Sequence, residues 1–364
     1  MQSIENLLAT VAIKRSVGSK ENDQLLSLCE NFASSLGYEV QSQNFPSPIW
    51  SGSLSFLRLS EESCTVLPSP FSPPCQVSAP LVFASQKATL TGLDASASIL
   101  VVHGSLAKEP MRDSELLGLL SHTKAKAIIC LTGMHDSTGL SPFPLITSAS
   151  FSIPSCYAPS SLIESLLQAK EDRLSVPLQL FCDVKQKESR QLLITVPSCN
   201  PTLMVTAQMD CKYGTQGALH HASSVATLLS LMQQKIDSSI AFLLTNGQAY
   251  DQGIGYTTFQ HFNTFPITEV VRLTGLGCKQ STLAFQDFSS TLAPLLRKRG
   301  VQEMQLGKDR FSCVLPELLV SSSNQSMLAR VADTQLDTLQ AVDMQILTNQ
   351  AQQLGELLTA WRSR

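Results

Sequence analysis

Apolar residues recur at helical spacing across residues 4–45, where Leu7, Leu8 and Val11, and then Leu25, Leu26, Cys29 and Phe32, fall on common faces. This spacing predicts two helices, then a turn at Leu36-Gly37 and a strand running to Phe45. From about residue 191 short apolar runs alternate with helical ones. Strands are predicted over 192–196, 202–206, 240–244 and 269–273, with helices over 222–234 and near 255–262. Alternation of this kind predicts a mostly parallel mixed sheet flanked by helices, an α/β fold. Leu339, Val342, Ile346, Leu347, Leu354, Leu357 and Leu358 then recur at helical intervals and predict a final amphipathic helix over 337–362.

Between these stretches the pattern changes. A Pro- and Ser-rich region over residues 45–80, including Pro68, Pro70, Pro73 and Pro74, is expected to break regular structure and mark a domain crossing. Beyond it, apolar runs near 81–84, 98–104, 125–131 and 152–157 read as short buried strands, with helices near 114–121 and 159–168. Two domains are therefore expected: residues 1–46 with 187–364, and an inserted, mainly β domain over 47–186.

Composition narrows the function classes. The 364 residues are 43% apolar and 15% charged, with a net charge of −3, which suits a globular protein and offers no basic face for nucleic acid. No run approaches the roughly 20 apolar residues needed to span a bilayer, so no membrane partner is expected. The 10 cysteines are scattered without a Cys-x-x-Cys pair, and several lie in apolar runs such as Ile128-Ile129-Cys130-Leu131. That predicts reduced thiols and a reducing compartment. The first residues lack the basic start and unbroken apolar core of a signal peptide, so a cytoplasmic location is expected.

The stretch with most chemical content runs from Leu203 to Leu229. An apolar strand ends in Gln208-Met209-Asp210, a loop with Gly214 and Gly217 follows, and His220-His221 leads through small residues into an apolar helix. It closely resembles the zinc-dependent exopeptidases of the bacterial leucyl aminopeptidase and glutamate carboxypeptidase type. In that family the strand ends in His-x-Asp and the loop reads Gly-Ala-x-Asp-Asn-Ala-Ser-Gly. The resemblance implies that the inserted domain is of the protease-associated type. It also matches a ligand His to Gln208 and the metal-bridging Asp to His220. A carboxamide is a poor zinc ligand, and an imidazole cannot bridge two ions held roughly 3.5–4 Å apart as a carboxylate does.

The other family positions are substituted as well. Where the family reads Gly-Glu-Glu, giving a general base and a ligand, this chain reads Gly247-Gln248-Ala249; a further ligand Asp matches Thr274. The last ligand is a His four residues before an Asp-Thr pair. That pair occurs twice here, so the ligand position is Ala329 in one register and Asp333 in the preferred one. The six histidines are His103, His122, His135, His220, His221 and His261, so no imidazole lies near either register. Asp210 matches the residue that orients the first ligand His in the family.

Individual residues also admit plainer readings. His220 and His221 fit a loop in which one ring hydrogen-bonds and the other is exposed; a His220–Asp210 pair would instead start general-base chemistry. Ser223 and Ser224 read as helix N-caps, Asp333 as a helix-entry cap, and Arg297-Lys298-Arg299 as a solvated helix end. Cys211 beside Asp210 is a poor nucleophile, because the carboxylate disfavours the thiolate.

The leading expectation is a peptidase-like protein, catalytically inactive, holding no metal and no cofactor. Its degenerate cleft comprises Gln208, Asp210, His220, Gln248, Ala249, Thr274 and Asp333. The fold would serve binding of a peptide or protein partner, or assembly, with the oligomeric state open. An alternative is an active metallo-aminopeptidase with atypical ligands drawn from Asp210, His220, Asp251 and Asp333. A third is a metal-free hydrolase or transferase using a His–Asp pair.

Overall fold

The computed structural model describes residues 2–59, 62–108, 114–136, 139–141, 143–235, 239–250, 254–306 and 315–362. These residues form two compact units, Met1–Ser47 with Lys187–Arg364, and Pro48–Gln186.

The first unit is built on one eight-stranded sheet. Its order is Glu39–Gly52, Cys182–Thr195, Ile240–Thr245, Leu203–Gln208, Glu269–Leu273, Glu317–Ser322, Leu283–Phe288 and Gln302–Glu303. The central strands are parallel: Val205 lies opposite Phe242 on one side and Val271 on the other, and Val271 opposite Leu318. Nearly every residue of these strands is buried, which a parallel strand covered on both faces requires. Antiparallel pairs flank them, Leu193 with Leu243 and Phe285 with Val320, so the sheet is mixed. On one face the core draws Leu7, Leu8 and Val11 from helix Ile4–Val11, Leu25, Leu26 and Cys29 from Lys20–Ser35, and Leu354, Leu357 and Leu358 from Met344–Arg362. Tyr256 and Phe259 of helix Ile254–Phe262 cover Leu193, Met204 and Leu243 on the other. The first two helices start where Ser3 and Ser19 accept hydrogen bonds from the amides of Asn6 and Asn22.

The final helix begins at Met344 and not near residue 337. Asp343 stops the apolar spacing from extending further, because its carboxylate accepts the amide of Ile346 at 3.0 Å and so caps the helix. Ahead of it lies only a short 3-10 turn, Leu339–Ala341.

The second unit also holds an eight-stranded sheet, in the order Cys75–Ala79, Val176–Leu180, Ser55–Leu59, Glu62–Pro68, Ser155–Pro159, Ala127–Thr132, Ile99–Val102 and Leu81–Ala84. Four of these strands pair in parallel, and helices Ser114–His122 and Ile163–Glu171 accompany them, so this unit has α/β character in one half. The region over 45–80 is not irregular: it holds the end of the strand Glu39–Gly52 and three whole strands. Ser55–Leu59 alternates buried and exposed residues, and its Leu57 pairs opposite Cys64. Pro68 stands at a strand end and Pro70, Pro73 and Pro74 outside strands, where a missing amide breaks no ladder.

All the described cysteines are free thiols; Cys313 lies outside the described residues. No helix among the described residues is long and apolar enough to cross a membrane.

Candidate functional site

Three neighbouring parallel strands of the first unit end at the same edge of the sheet. Gln208 closes Leu203–Gln208, Gln248 and Ala249 follow Ile240–Thr245, and Thr274 follows Glu269–Leu273. In open α/β sheets ligands bind outside these carboxyl ends. His220 lies in a single π-helical turn, Ala218–Ala222, that opens the helix Ser223–Gln233, and Asp333 follows the helix Gln325–Val331. A groove of about 910 Å³ bordered by Gln234, Arg299, Thr348 and Gly355 runs along the C-terminal helix, and no family ligand position lines it.

Asp210 is fully buried. Its carboxylate accepts the amides of Gln248 at 3.0 Å and Ala249 at 2.9 Å, while Gln208 Nε2 donates to the Asp210 carbonyl at 3.2 Å. Burial pushes its pKa up to about 6, against the pull of these amides and of Arg15. Asp210 thus ties two strand ends together and does not partner His220. The Gln248 side-chain nitrogen is buried without a hydrogen-bond partner. Tyr250 extends this edge, its hydroxyl accepting the amide of Tyr213 at 2.6 Å.

Arg15 is also wholly buried. Its guanidinium donates to the carbonyls of Met209 at 2.6 Å, Ile13 at 3.0 Å, Gly217 at 3.4 Å and Gln216. It therefore holds the strand end and the Gly217 turn in register. The Cys211 thiol donates to the Thr215 carbonyl at 3.2 Å and accepts the Arg15 amide at 3.3 Å. Burial raises the Cys211 pKa, which suits a structural thiol.

The second half of the site centres on His220. Its Nδ1 lies 3.4 Å from Asp333 Oδ1, and Lys212 Nζ lies 2.8 Å from Asp333 Oδ2. The His220 carbonyl accepts Gly275 N at 3.0 Å and Thr274 Oγ1 at 3.3 Å. Buried Asp337 accepts the amides of Leu219 at 2.6 Å and His220 at 3.4 Å, which fixes the π turn. The rings of His220 and His221 stack with centroids 3.8 Å apart, tilted by 31°.

Electrostatics separates these groups. Burial alone would raise the Asp333 pKa, but Lys212 and His220 outweigh it and hold the carboxylate well below its usual range. Burial alone would lower the His220 pKa; Asp333 reverses that and leaves it raised. His221 is pushed well below the usual value by burial first and by His220 second.

Several sequence expectations need correction. Neither histidine is an exposed loop residue, since His221 is buried and His220 partly so. Asp333 opens no helix: it follows one with a left-handed φ of 64° and makes two side-chain contacts. Ser223 and Ser224 cap nothing, because the π turn has already started the helix ahead of them. Ser223 instead donates to the Leu219 carbonyl at 2.8 Å. Asp251 lies outside the described residues. Lys212 was missed altogether; a lysine in a polar loop carries no periodic signal of burial.

No protein-family model matches this sequence, and no curated protein matches it. Solved structures do. A zinc aminopeptidase from Bacillus subtilis aligns with a TM-score of 0.77 at 16% identity, covering 98% of this chain and 93% of the other. The aminopeptidase from Aneurinibacillus sp. strain AM-1 aligns with a TM-score of 0.71 at 17% identity, over 98% and 92%. A peptidase M28 precursor from Shewanella amazonensis gives 0.70 at 16%, over 98% and 91%. The fold is that of the zinc aminopeptidases. At such identities the likeness concerns the fold, and chemistry has to be argued from the site.

That fold implies bound zinc, so the residues present can be tested against it. Two ions require a bridging carboxylate and several anionic or imidazole donors. The residues that the sequence resemblance matches to its ligands are Gln208, His220, Ala249, Thr274 and Asp333, and the one carboxylate among them, Asp333, is paired with an ammonium. This donor set does not fit a pair of zinc ions.

Proposed function

We propose that this chain is a peptidase-like protein without peptidase activity, which keeps the aminopeptidase fold to bind a peptide or protein partner or to take part in an assembly. The observation that carries this reading is Gln248. The sequence resemblance matches it to the family's general base, its backbone amide is committed to Asp210, and its neutral side chain cannot take a proton from water. Ala249 beside it offers no ligand atom. The cleft of Gln208, Asp210, His220, Gln248, Ala249, Thr274 and Asp333 then serves as a binding surface, and the unit Pro48–Gln186 is a protease-associated-type insertion. Free thiols at Cys29, Cys130 and Cys156 support a reducing, cytoplasmic setting.

The test is turnover of a panel of aminoacyl anilides with zinc, manganese or cobalt supplied. Rates are expected to stay at background and to be unchanged in Gln248→Ala. Chelator-sensitive hydrolysis that disappears in His220→Ala would overturn the proposal. It would favour the second reading, an active metallo-aminopeptidase with atypical ligands, for which the grouping of His220, His221 and Asp333 donor atoms within 4.8 Å speaks.

A further inference from the structure

Lys212 sits two residues beyond Asp210, on the loop that leaves the strand Leu203–Gln208. Its ammonium meets Asp333 Oδ2 at 2.8 Å, and only 15% of its side chain is exposed. On its other oxygen Asp333 meets His220, and His221 stacks on His220. The donor atoms of His220, His221 and Asp333 lie within 4.8 Å of one another.

Two imidazoles and a carboxylate are a donor set suited to one borderline divalent ion such as zinc or nickel. The 3.4 Å between His220 Nδ1 and Asp333 Oδ1 is long for a hydrogen bond. It is close to the edge of a zinc tetrahedron with bonds of about 2.0–2.1 Å. What such an ion would have to displace is the ammonium on Asp333. A tethered charge is always present at its site, so a dissolved cation competes against it poorly.

We propose that Lys212 is the resident cation of this cleft: its ammonium neutralises Asp333, holds it beside His220, and keeps closed a latent one-metal site formed by His220, His221 and Asp333. The site differs from the family's ligand set, since His221 matches none of those positions. The proposal deepens the binding-protein reading but can fail separately from it, because its test reads metal content and stability and not turnover.

The experiment compares wild type, Lys212→Met, Lys212→Arg and the pair Lys212→Met with Asp333→Asn. Each is dialysed against zinc and then buffer, assayed for bound metal, and melted with and without zinc. Wild type and Lys212→Arg are expected to retain no stoichiometric zinc and to melt at the same temperature either way. Lys212→Met is expected to retain one zinc per chain and, without zinc, to melt about 3 °C or more below wild type, with zinc recovering the loss. The pair is expected to fold and bind no zinc. Stoichiometric zinc on wild type overturns the proposal, as does Lys212→Met that gains no zinc or matches wild type in metal-free melting. Should Lys212→Met fail to accumulate, expression with zinc is expected to rescue it and the pair to fold without zinc; failure of either also overturns it.

Discussion

Asp210 carries a proton-linked cost set by its burial. Burial raises its pKa from 3.8 to about 6, although Gln248, Ala249 and Arg15 all pull the other way. A carboxyl with a raised native pKa holds its proton more tightly when folded. Its favourable contribution is therefore present in acid and is lost as pH rises from about 4 to about 6. The shift is worth about 3 kcal/mol. Relative to wild type, Asp210→Asn is thus expected to gain roughly 2–3 kcal/mol between pH 4 and pH 7, read from urea unfolding at each pH. A difference that stays constant with pH would contradict the buried, unpaired charge. At this scale the sequence was informative about which residues stand at the strand ends and poor about the contacts that hold them. Gln248, Ala249 and Thr274 could be placed because each follows an apolar run that forms a buried strand. Arg15 and Lys212 could not be recognised, because a single charge in a polar loop reads as solvated until its carbonyl or carboxylate partners are seen.

The elements that were legible are those whose apolar period is backed by burial. The buried runs Leu203–Gln208 and Ile240–Thr245 and the helix Ser223–Gln233 lie within a residue or two of expectation at most ends. Two of the errors share one cause: local hydrogen bonds set the helix starts. Asp343 restarts the chain as a helix at Met344, and the π turn Ala218–Ala222 takes over the task expected of Ser223 and Ser224. That turn depends on Gly217, which has φ 53°, and a Cβ there would stand 2.8 Å from Cys211 Cβ. Gly37, with φ 88° but open space around it, isolates the cost of the left-handed backbone. Gly37→Ala should lose about 1 kcal/mol. Gly217→Ala should lose roughly 2–4 kcal/mol by adding the clash, and should also disturb His220. Equal losses in chemical denaturation would mean that the turn yields easily and does not fix the histidine.

For the whole molecule, the sheet and its flanking helices followed from alternation of buried strands with amphipathic helices, while in the second unit only the stretch over 45–80 was misjudged, because its proline content masked a period-two pattern. The charge balance of the cleft is the feature that only the assembled structure reveals. Carboxylates gathered without a cation repel one another; here Asp333 has its own ammonium, and Asp210 and Asp337 are each held by backbone amides. The same charge balance can be reversed in the molecule. Gln208→His, His220→Asp, Gln248→Glu, Ala249→Glu, Thr274→Asp and Asp333→His, combined with Lys212→Ser, add four carboxylates and remove one carboxylate and one ammonium. The net change of four negative charges equals the charge that two Zn²⁺ ions bring. Without metal this variant should melt well below wild type, since its carboxylates face one another in a poorly solvated cleft. With zinc it should bind two ions per chain and recover its stability, because metal binding is then coupled to folding. Metal analysis beside a thermal melt checks both halves. A variant that folds well without zinc, or binds none, would show that these positions no longer hold the geometry of the aminopeptidase site.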